Sequence, residues 1–442
     1  MISNPKIVLI NPPNPFLNEP AMDIPLGLCH LSSYLKAGRI DNIKLIDFNI
    51  LKYDYYEKEY LKEIPIDGDI YGITCVTPQY KWLVEISDYI RSKNKEAFVV
   101  AGGPHPSNMP EECLEDCNLD YVVKGDGESA FLNIVFEKIH GTKKLNSVLS
   151  DQIEDINTLP PPDRSLSKFS DYHRTISGER AFHLTTLRGC PYNCAFCDRG
   201  SVGRVVRYRH IEYVMYEIDN LIDSFGVKNF VIYDDIFTLN RERLYDFCKQ
   251  FKKRDVRWRC WSRTDTLDRD KLEIMKGSGL TSITVGVESG DDDILKNINK
   301  MAKRADNRDA LLLCRALDIP VRCSLMYANP GENRRTLQNT IDLIDECQPD
   351  EWNLAVLSPI PGSDIWNNPD KYGIKFDKES LHKNYYQQCN RFSDTGIGAP
   401  YISISTMTDE ELRHNLIWFI GELERVCPRK KIQDTIQTIA VK

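Results

Sequence analysis

The sequence predicts an α/β protein: a doubly wound parallel sheet, then a partial (β/α)6 barrel, then a mainly helical C-terminal extension. Three observations carry that expectation. Short runs of Val, Ile and Leu alternate with helical patterns through the first domain. A stiff Leu159-Pro160-Pro161-Pro162-Asp163 break follows. Beyond it comes a second strand–helix series of six units, too few to close a complete eight-stranded barrel. At 442 residues the chain is too long for one ordinary core. The expected division is 1–140 for the first domain, 141–180 for a linker, 181–375 for the barrel and 376–442 for the extension.

In the first domain, strands are expected at Ile7–Ile10, Ile43–Ile46, Ile70–Cys75, Phe98–Ala101 and Tyr121–Val123. Helical patterns lie between them, at Pro25–Leu35, Tyr80–Ser92 and Ser129–Ile139. Asn11-Pro12-Pro13, Thr77-Pro78, Gly102-Gly103-Pro104 and Gly125-Asp126-Gly127-Glu128 follow every strand except the second. In such sheets ligands bind beyond the carboxyl ends of the strands, where these loops gather.

Barrel strands are expected at Phe182–Leu187, Asn229–Tyr233, Arg257–Trp261, Ser282–Val287, Val321–Met326 and Asn353–Leu357. Helices fit at Ile211–Ser224, Arg241–Lys253, Arg269–Gly277, Ala305–Leu317 and Thr336–Cys347, and Asp409–Val426 is the main helix of the extension. Barrel chemistry sits at the carboxyl ends of the strands.

The first barrel strand runs into Gly189-Cys190-Pro191-Tyr192-Asn193-Cys194-Ala195-Phe196-Cys197. The spacing C-x3-C-x2-C places three thiolates on one tight loop, and Gly189 and Pro191 break any helix there. Three sulfurs match three corners of a cubane iron–sulfur cluster and leave the fourth iron open to a substrate. A structural zinc site would show paired C-x2-C knuckles with a fourth ligand at matching spacing. The nearby His183 and His210 lack that pattern. Nothing in the sequence indicates secretion, so a disulfide framework is not expected.

With Phe196 before Cys197, this motif resembles that of the radical S-adenosylmethionine enzymes. The resemblance implies a [4Fe-4S] cluster on Cys190, Cys194 and Cys197 whose open iron chelates S-adenosylmethionine. Cleavage of that molecule would give a 5′-deoxyadenosyl radical, which abstracts hydrogen from the substrate. An electron donor such as flavodoxin or ferredoxin is implied as well. The six-unit series resembles the open barrel of the same family, over most of residues 182–363.

Within that span, Asp234-Asp235-Ile236-Phe237 resembles the Asp-Asp-x-Phe segment of cobalamin-binding members, where the loop approaches the methionine amino group. A solvated loop before a helix capped by Asn240 is the plainer alternative. Arg263, at the end of the third strand, could pair bidentately with the methionine carboxylate, or instead with Asp265. Gly286-Val287-Glu288-Ser289-Gly290 is similar to the segment whose Glu contacts S-adenosylmethionine. A buried Glu288 needs a partner, and Arg263 is the natural one. Met326-Tyr327-Ala328-Asn329-Pro330-Gly331-Glu332 and Ser358-Pro359-Ile360-Pro361-Gly362-Ser363 look like family loops on the adenosine and substrate side.

In the first domain, Gly102, Gly103, Pro104, His105 and Pro106, with Gly125, Asp126, Gly127 and Glu128, resemble the cobalamin-binding domain that precedes many of these barrels. Glycine loops could cradle phosphate through backbone amides, or simply be strand-to-helix turns. The base-off motif D-x-H-x-x-G is absent: Asp23-Ile24-Pro25-Leu26-Gly27 has no histidine, and His30 lies on the following helix. His105 follows a different strand. The resemblance therefore implies cobalamin either with no protein ligand below it or lost altogether.

The leading expectation is a cobalamin-dependent radical methyltransferase acting on a small-molecule or natural-product substrate. The alternatives are a radical enzyme without methylation (ring formation, rearrangement, epimerisation or oxidation) and a non-catalytic cobalamin or metal-binding sensor. A net charge of −8 gives no basic footprint for nucleic acid, and Arg429-Lys430-Lys431 is short. Methylthiolating relatives carry a first-domain cluster pattern that Cys29, Cys75, Cys113 and Cys117 do not form. Ile7–Ile10 is too short for a signal peptide, and no stretch approaches a membrane span. Fourteen cysteines without an export signal point to a reducing cytoplasm at low oxygen. Cys389 and Cys427 stand alone, and Tyr385, Tyr386 and Tyr401 are candidate lid aromatics.

Overall fold

The computed structural model describes residues 4–428 apart from 15, 16, 18, 52, 54, 56, 143–146, 199, 202 and 379–401. Tyr385, Tyr386, Tyr401, Cys389 and the basic run at Arg429 lie outside the described residues. The chain divides into two compact units. Unit 1 holds Met1–His173 and Asp198–Gly203; unit 2 holds Arg174–Cys197, Arg204–Leu381 and the remaining C-terminal part.

Unit 1 is built on six parallel strands: β1 (Ile7–Asn11), β2 (Ile43–Asp47), β3 (Ile70–Thr74), β4 (Phe98–Gly102), β5 (Tyr121–Gly125) and β6 (Ser147–Asp151). Their order is β2-β1-β3-β4-β5-β6. Alternate residues of one strand enter different cores, the signature of a sheet covered on both faces. Val8 and Ile10 pack with Tyr71, Val99, Trp82 and Ile86. Ile7 and Leu9 pack with Val100, Leu28, Phe131 and Ile134. The helices responsible are α1 (Leu26–Ala37), α2 (Tyr80–Lys93) and α3 (Glu128–His140).

β6 falls in the stretch expected to be linker. Its residues alternate between half-buried and exposed until the buried Asp151, so its apolar signal is weak, as suits a sheet edge.

Unit 2 holds six parallel strands in chain order: β7 (Phe182–Leu184), β8 (Asn229–Ile232), β9 (Arg257–Arg263), β10 (Leu280–Glu288), β11 (Val321–Tyr327) and β12 (Glu351–Val356). Neighbours pair along the whole series, and β7 and β12 are its two ends, which makes an open barrel. The expected first strand stops three residues early, because the Thr186 and Leu187 amides turn to the Asp234 carboxylate instead of a neighbouring strand. Leu187–Arg188 then pairs antiparallel with Arg207–Tyr208, closing the base of the cysteine loop.

Helix α4 (Asp409–Val426) starts at a reciprocal cap in which the Glu411 amide donates to Thr408 Oγ1 and the Thr408 amide to Glu411 Oε2. The Tyr327 hydroxyl donates to the Leu412 carbonyl at 2.6 Å, and the Trp352 indole to the Cys427 carbonyl at 2.9 Å. The extension is thereby pinned to β11 and β12. Among the described residues, no helix is long and apolar enough to cross a membrane.

Candidate functional site

The cysteine loop leaves β7 at the carboxyl end of the sheet and is tied down by its own backbone. The Ala195 amide donates to the Ile298 carbonyl at 2.8 Å, and the Ile365 amide to the Ala195 carbonyl at 3.0 Å. Asn299 Nδ2 reaches the Asn193 carbonyl at 2.6 Å. Gly189 has φ of 95°, a conformation that suits glycine. Cys194 is buried, Cys190 half-buried and Cys197 exposed, and no described cysteine is in a disulfide. Three thiols held on a rigid loop, one accepting an N–H from an arginine, suit an anionic iron–sulfur cluster. Among the described residues, no three His, Cys, Asp or Glu side chains converge as on a single metal ion. A cubane spreads its thiolates over separate irons.

Asp234 does not present itself to a ligand. Its Oδ1 accepts from the Thr186 amide at 2.5 Å and the Leu187 amide at 3.2 Å, and the Thr186 hydroxyl bonds Oδ2. The aspartate is a clamp that aims the cysteine loop, a role that its position 48 residues away concealed. Asp235 is exposed on the loop beyond it. Tyr233 and Trp261 stack with ring centroids 4.7 Å apart, a flat aromatic pair that the strand pattern alone did not mark.

Arg263 and Glu288 are not partners. Arg263 takes Asp265 in a fork, Nε to Oδ1 at 2.9 Å and Nη2 to Oδ2 at 2.7 Å. Its Nη2 also donates to the Lys300 carbonyl, and its Nη1 lies 3.5 Å from Cys194 Sγ. Glu288 instead pairs with Lys300 at 2.8 Å. Glu288 has φ of 60°, where β10 and β11 slip register. A non-glycine residue held there costs about 1–3 kcal/mol and marks a place where geometry outranks stability. Gly286 makes room for the pair, since a Cβ there would lie 2.7 Å from Glu288 Oε1 and 2.8 Å from Lys300 Nζ.

At the end of β11 the buried Glu332 carboxylate accepts from the Ala328 amide at 2.6 Å and from Asn329 Nδ2 at 3.0 Å. These bonds fix Ala328 at φ of 65°. Burial pushes Glu332 up to about 7 and Asp234 up to about 6, outweighing the hydrogen bonds that pull each down. Both folded values exceed the ordinary ones, so each carboxyl's contribution to stability is present in acid and lost as pH rises through about 6 and about 7. Denaturant melts of the metal-free protein should show the slope: D234N and E332Q should each flatten the fall between pH 4 and pH 8 by roughly 3 kcal/mol. Identical pH profiles for both variants and the parent would refute this.

In unit 1 a cavity of about 120 Å³ is lined by Gly27, Gly72, Gly102, Gly103, Gly125, Asp126 and Gly127, with Leu28, Val100 and Phe131 among its apolar walls. Gly103 has φ of 96°, and a Cβ there would lie 2.9 Å from Thr74 Oγ1. A narrow glycine-lined crevice beside the strand ends fits a slender, flat group such as the nucleotide tail of a corrinoid. Several amides at the second loop and the helix start after it are already bonded within the protein, however. Asp151 accepts from the Ser129 amide at 2.8 Å and the Ala130 amide at 3.0 Å, which caps α3. The Asp126 amide goes to the Asp151 carbonyl and the Gly125 amide to Ser107 Oγ. A Cβ at Gly125 would collide with that Asp151 carbonyl.

His105 and Glu128 stand outside the crevice. His105 is buried against Tyr80, with Nδ1 3.2 Å from Thr77 Oγ1, and Glu128 is buried at the start of α3. Cys75, Cys113 and Cys117 are buried neighbours in unit 1, and burial raises all three thiols, Cys117 to about 12.

Comparison with known proteins agrees with this division. The B12 binding domain family matches residues 23–135, and the radical SAM superfamily matches residues 184–344. A protein named an uncharacterized methyltransferase from Pyrococcus horikoshii is 28% identical over 82% of this chain and 82% of its own. The anaerobic magnesium-protoporphyrin IX monomethyl ester cyclase of Cereibacter sphaeroides is 27% identical over 76% of this chain and 59% of its own. The radical S-adenosylmethionine methyltransferase TsrM of Kitasatospora setae, solved with cobalamin and a [4Fe-4S] cluster, shares the fold. The TM-score is 0.70 at 17% identity, covering 85% of this chain and 81% of that one. The chain is a radical S-adenosylmethionine enzyme with a B12 binding domain ahead of its barrel.

Proposed function

We propose that the chain is a cobalamin-dependent methyltransferase that acts on a small molecule. The observation carrying this is the presence, in one chain, of a glycine-lined crevice at the strand ends of unit 1 and three thiols on a fixed loop at the strand ends of unit 2. Cys190, Cys194 and Cys197 would hold the [4Fe-4S] cluster, Glu288 would meet bound S-adenosylmethionine, and the crevice at Gly102, Gly103 and Gly127 would receive the corrinoid tail. When bound, these groups supply hydrogen abstraction and a transferable methyl. The protein's own contribution is to fix the loop through Asp234, orient Glu288 through Lys300, and hold the reacting groups in place.

A low-potential electron donor and a reducing, oxygen-poor cytoplasm complete the reading, in keeping with the free thiols of the described cysteines. The net charge of −8 argues for a small substrate over a nucleic acid. The test is anaerobic reconstitution followed by incubation with S-adenosylmethionine carrying a deuterated methyl group. Labelled methyl in product, together with 5′-deoxyadenosine, supports the proposal. The cyclase relative favours a second reading, in which the radical closes a ring. That outcome would give 5′-deoxyadenosine and a product lighter by hydrogen, with no label.

A further inference from the structure

We propose that Arg263 sets the reduction potential of the cluster by acting on the Cys194 sulfur, and that Asp265 limits its effect. The inference rests on the cluster reading above and concerns what this chain's own side chains do to it.

The geometry separates two uses of Arg263. A clamp for a carboxylate needs two parallel N–H groups of one guanidinium edge. Here that edge, Nε with Nη2, is already spent on Asp265 at 2.9 Å and 2.7 Å. The second Nη2 hydrogen goes to the Lys300 carbonyl. Of the five guanidinium N–H groups, the two on Nη1 remain, and one of them points to Cys194 Sγ at 3.5 Å. The guanidinium carbon also lies 3.6 Å from the Tyr192 ring centre, so the plane is stacked on the cysteine loop itself. Arg263 is 7% exposed, which keeps water from screening the charge.

Reduction brings one electron from a low-potential one-electron donor onto the cluster, with no proton moved. Part of that added negative charge resides on the thiolate sulfurs. A donor N–H and a fixed cation against one sulfur therefore favour the reduced form and raise the potential. Asp265 lies on the far side of the guanidinium, so its negative charge is more distant from the sulfur and offsets only part of the effect. Lysine could not replace this arrangement, because only the planar fork reaches carboxylate, carbonyl and sulfur together.

The experiment is a dithionite titration of anaerobically reconstituted protein, followed by the paramagnetic signal of the reduced cluster, for the parent, R263Q and D265N. Iron content is measured alongside. R263Q should lower the midpoint, so that the ratio of reduced to oxidised cluster at the parent's midpoint falls at least tenfold, about 59 mV for one electron. D265N should move it the opposite way. Opposite signs are what a merely structural role does not produce. Unchanged midpoints in both variants at full iron content would overturn the proposal. Should R263Q hold no cluster, D265N decides alone: a raised midpoint supports the proposal and an unchanged one overturns it. A parent protein that takes up no iron would instead overturn the cluster reading, and this inference with it.

Discussion

Cys194→Ala should reduce 5′-deoxyadenosine formation to background while leaving the metal-free protein folded. The thiol is the buried member of the triplet, whereas the loop that carries it is held by backbone bonds on both sides. The bonds from Ala195 to Ile298 and from Ile365 to Ala195 do not involve the sulfur. Removing one buried sulfur costs about 1–2 kcal/mol of packing, too little to unfold unit 2. Losing one of three anchors should leave the cluster unretained or incompletely assembled. Iron and sulfide content after anaerobic reconstitution, with the melting temperature of the metal-free form, checks both halves. Full iron content in the variant would remove the basis for the functional reading, whereas a collapse of the metal-free melting temperature would refute only the claim of an independent loop.

What the sequence revealed and what it hid follow from how each feature is encoded. The strands β1 and β3–β5 are covered on both faces, so they are written as continuous apolar runs that few other structures use. The cysteine triplet is contiguous and needs no tertiary contact to be seen. β6 has only Val148 and Leu149 as apolar residues, and its role lies in Asp151, whose carboxylate caps a helix by accepting from amides 21 and 22 residues earlier. Such a cap has no local signature. The same limit applies to the charges. Residue type placed Arg263 and Glu288 at strand ends correctly, but their partners depend on side-chain directions fixed by packing. Arg263 turns to Asp265, two residues along, and Glu288 to Lys300, twelve along.

Asp234 carries a related lesson. Its motif drew attention as a ligand-facing carboxylate, and the chain instead spends it on fixing Thr186 and Leu187, the residues from which the cysteine loop departs. A motif's residue can matter to a site without touching what the site binds. The glycines divide in the same way: Gly103 opens the crevice, while Gly125 is there because the Asp151 carbonyl needs the space.

Lys300→Met is expected to destabilise unit 2 by about 3–5 kcal/mol, because it leaves the Glu288 carboxylate nearly buried without its counter-charge. The side chains of Lys300 and Glu288 are only 6% and 13% exposed, so water cannot replace the lost partner. The cost is compounded by the φ of 60° at Glu288, a strained position that the ion pair helps to hold. A second substitution distinguishes the two roles of the pair. Adding E288Q to K300M removes both charges together, and replacing both members of a buried pair is often close to neutral. Stability should therefore return to within about 1–2 kcal/mol of the parent. Cleavage of S-adenosylmethionine should not return, since the carboxylate proposed to meet it is gone. If the double variant regains its melting temperature and also cleaves S-adenosylmethionine at the parent's rate, Glu288 is a structural residue and the strain at its backbone serves the fold alone.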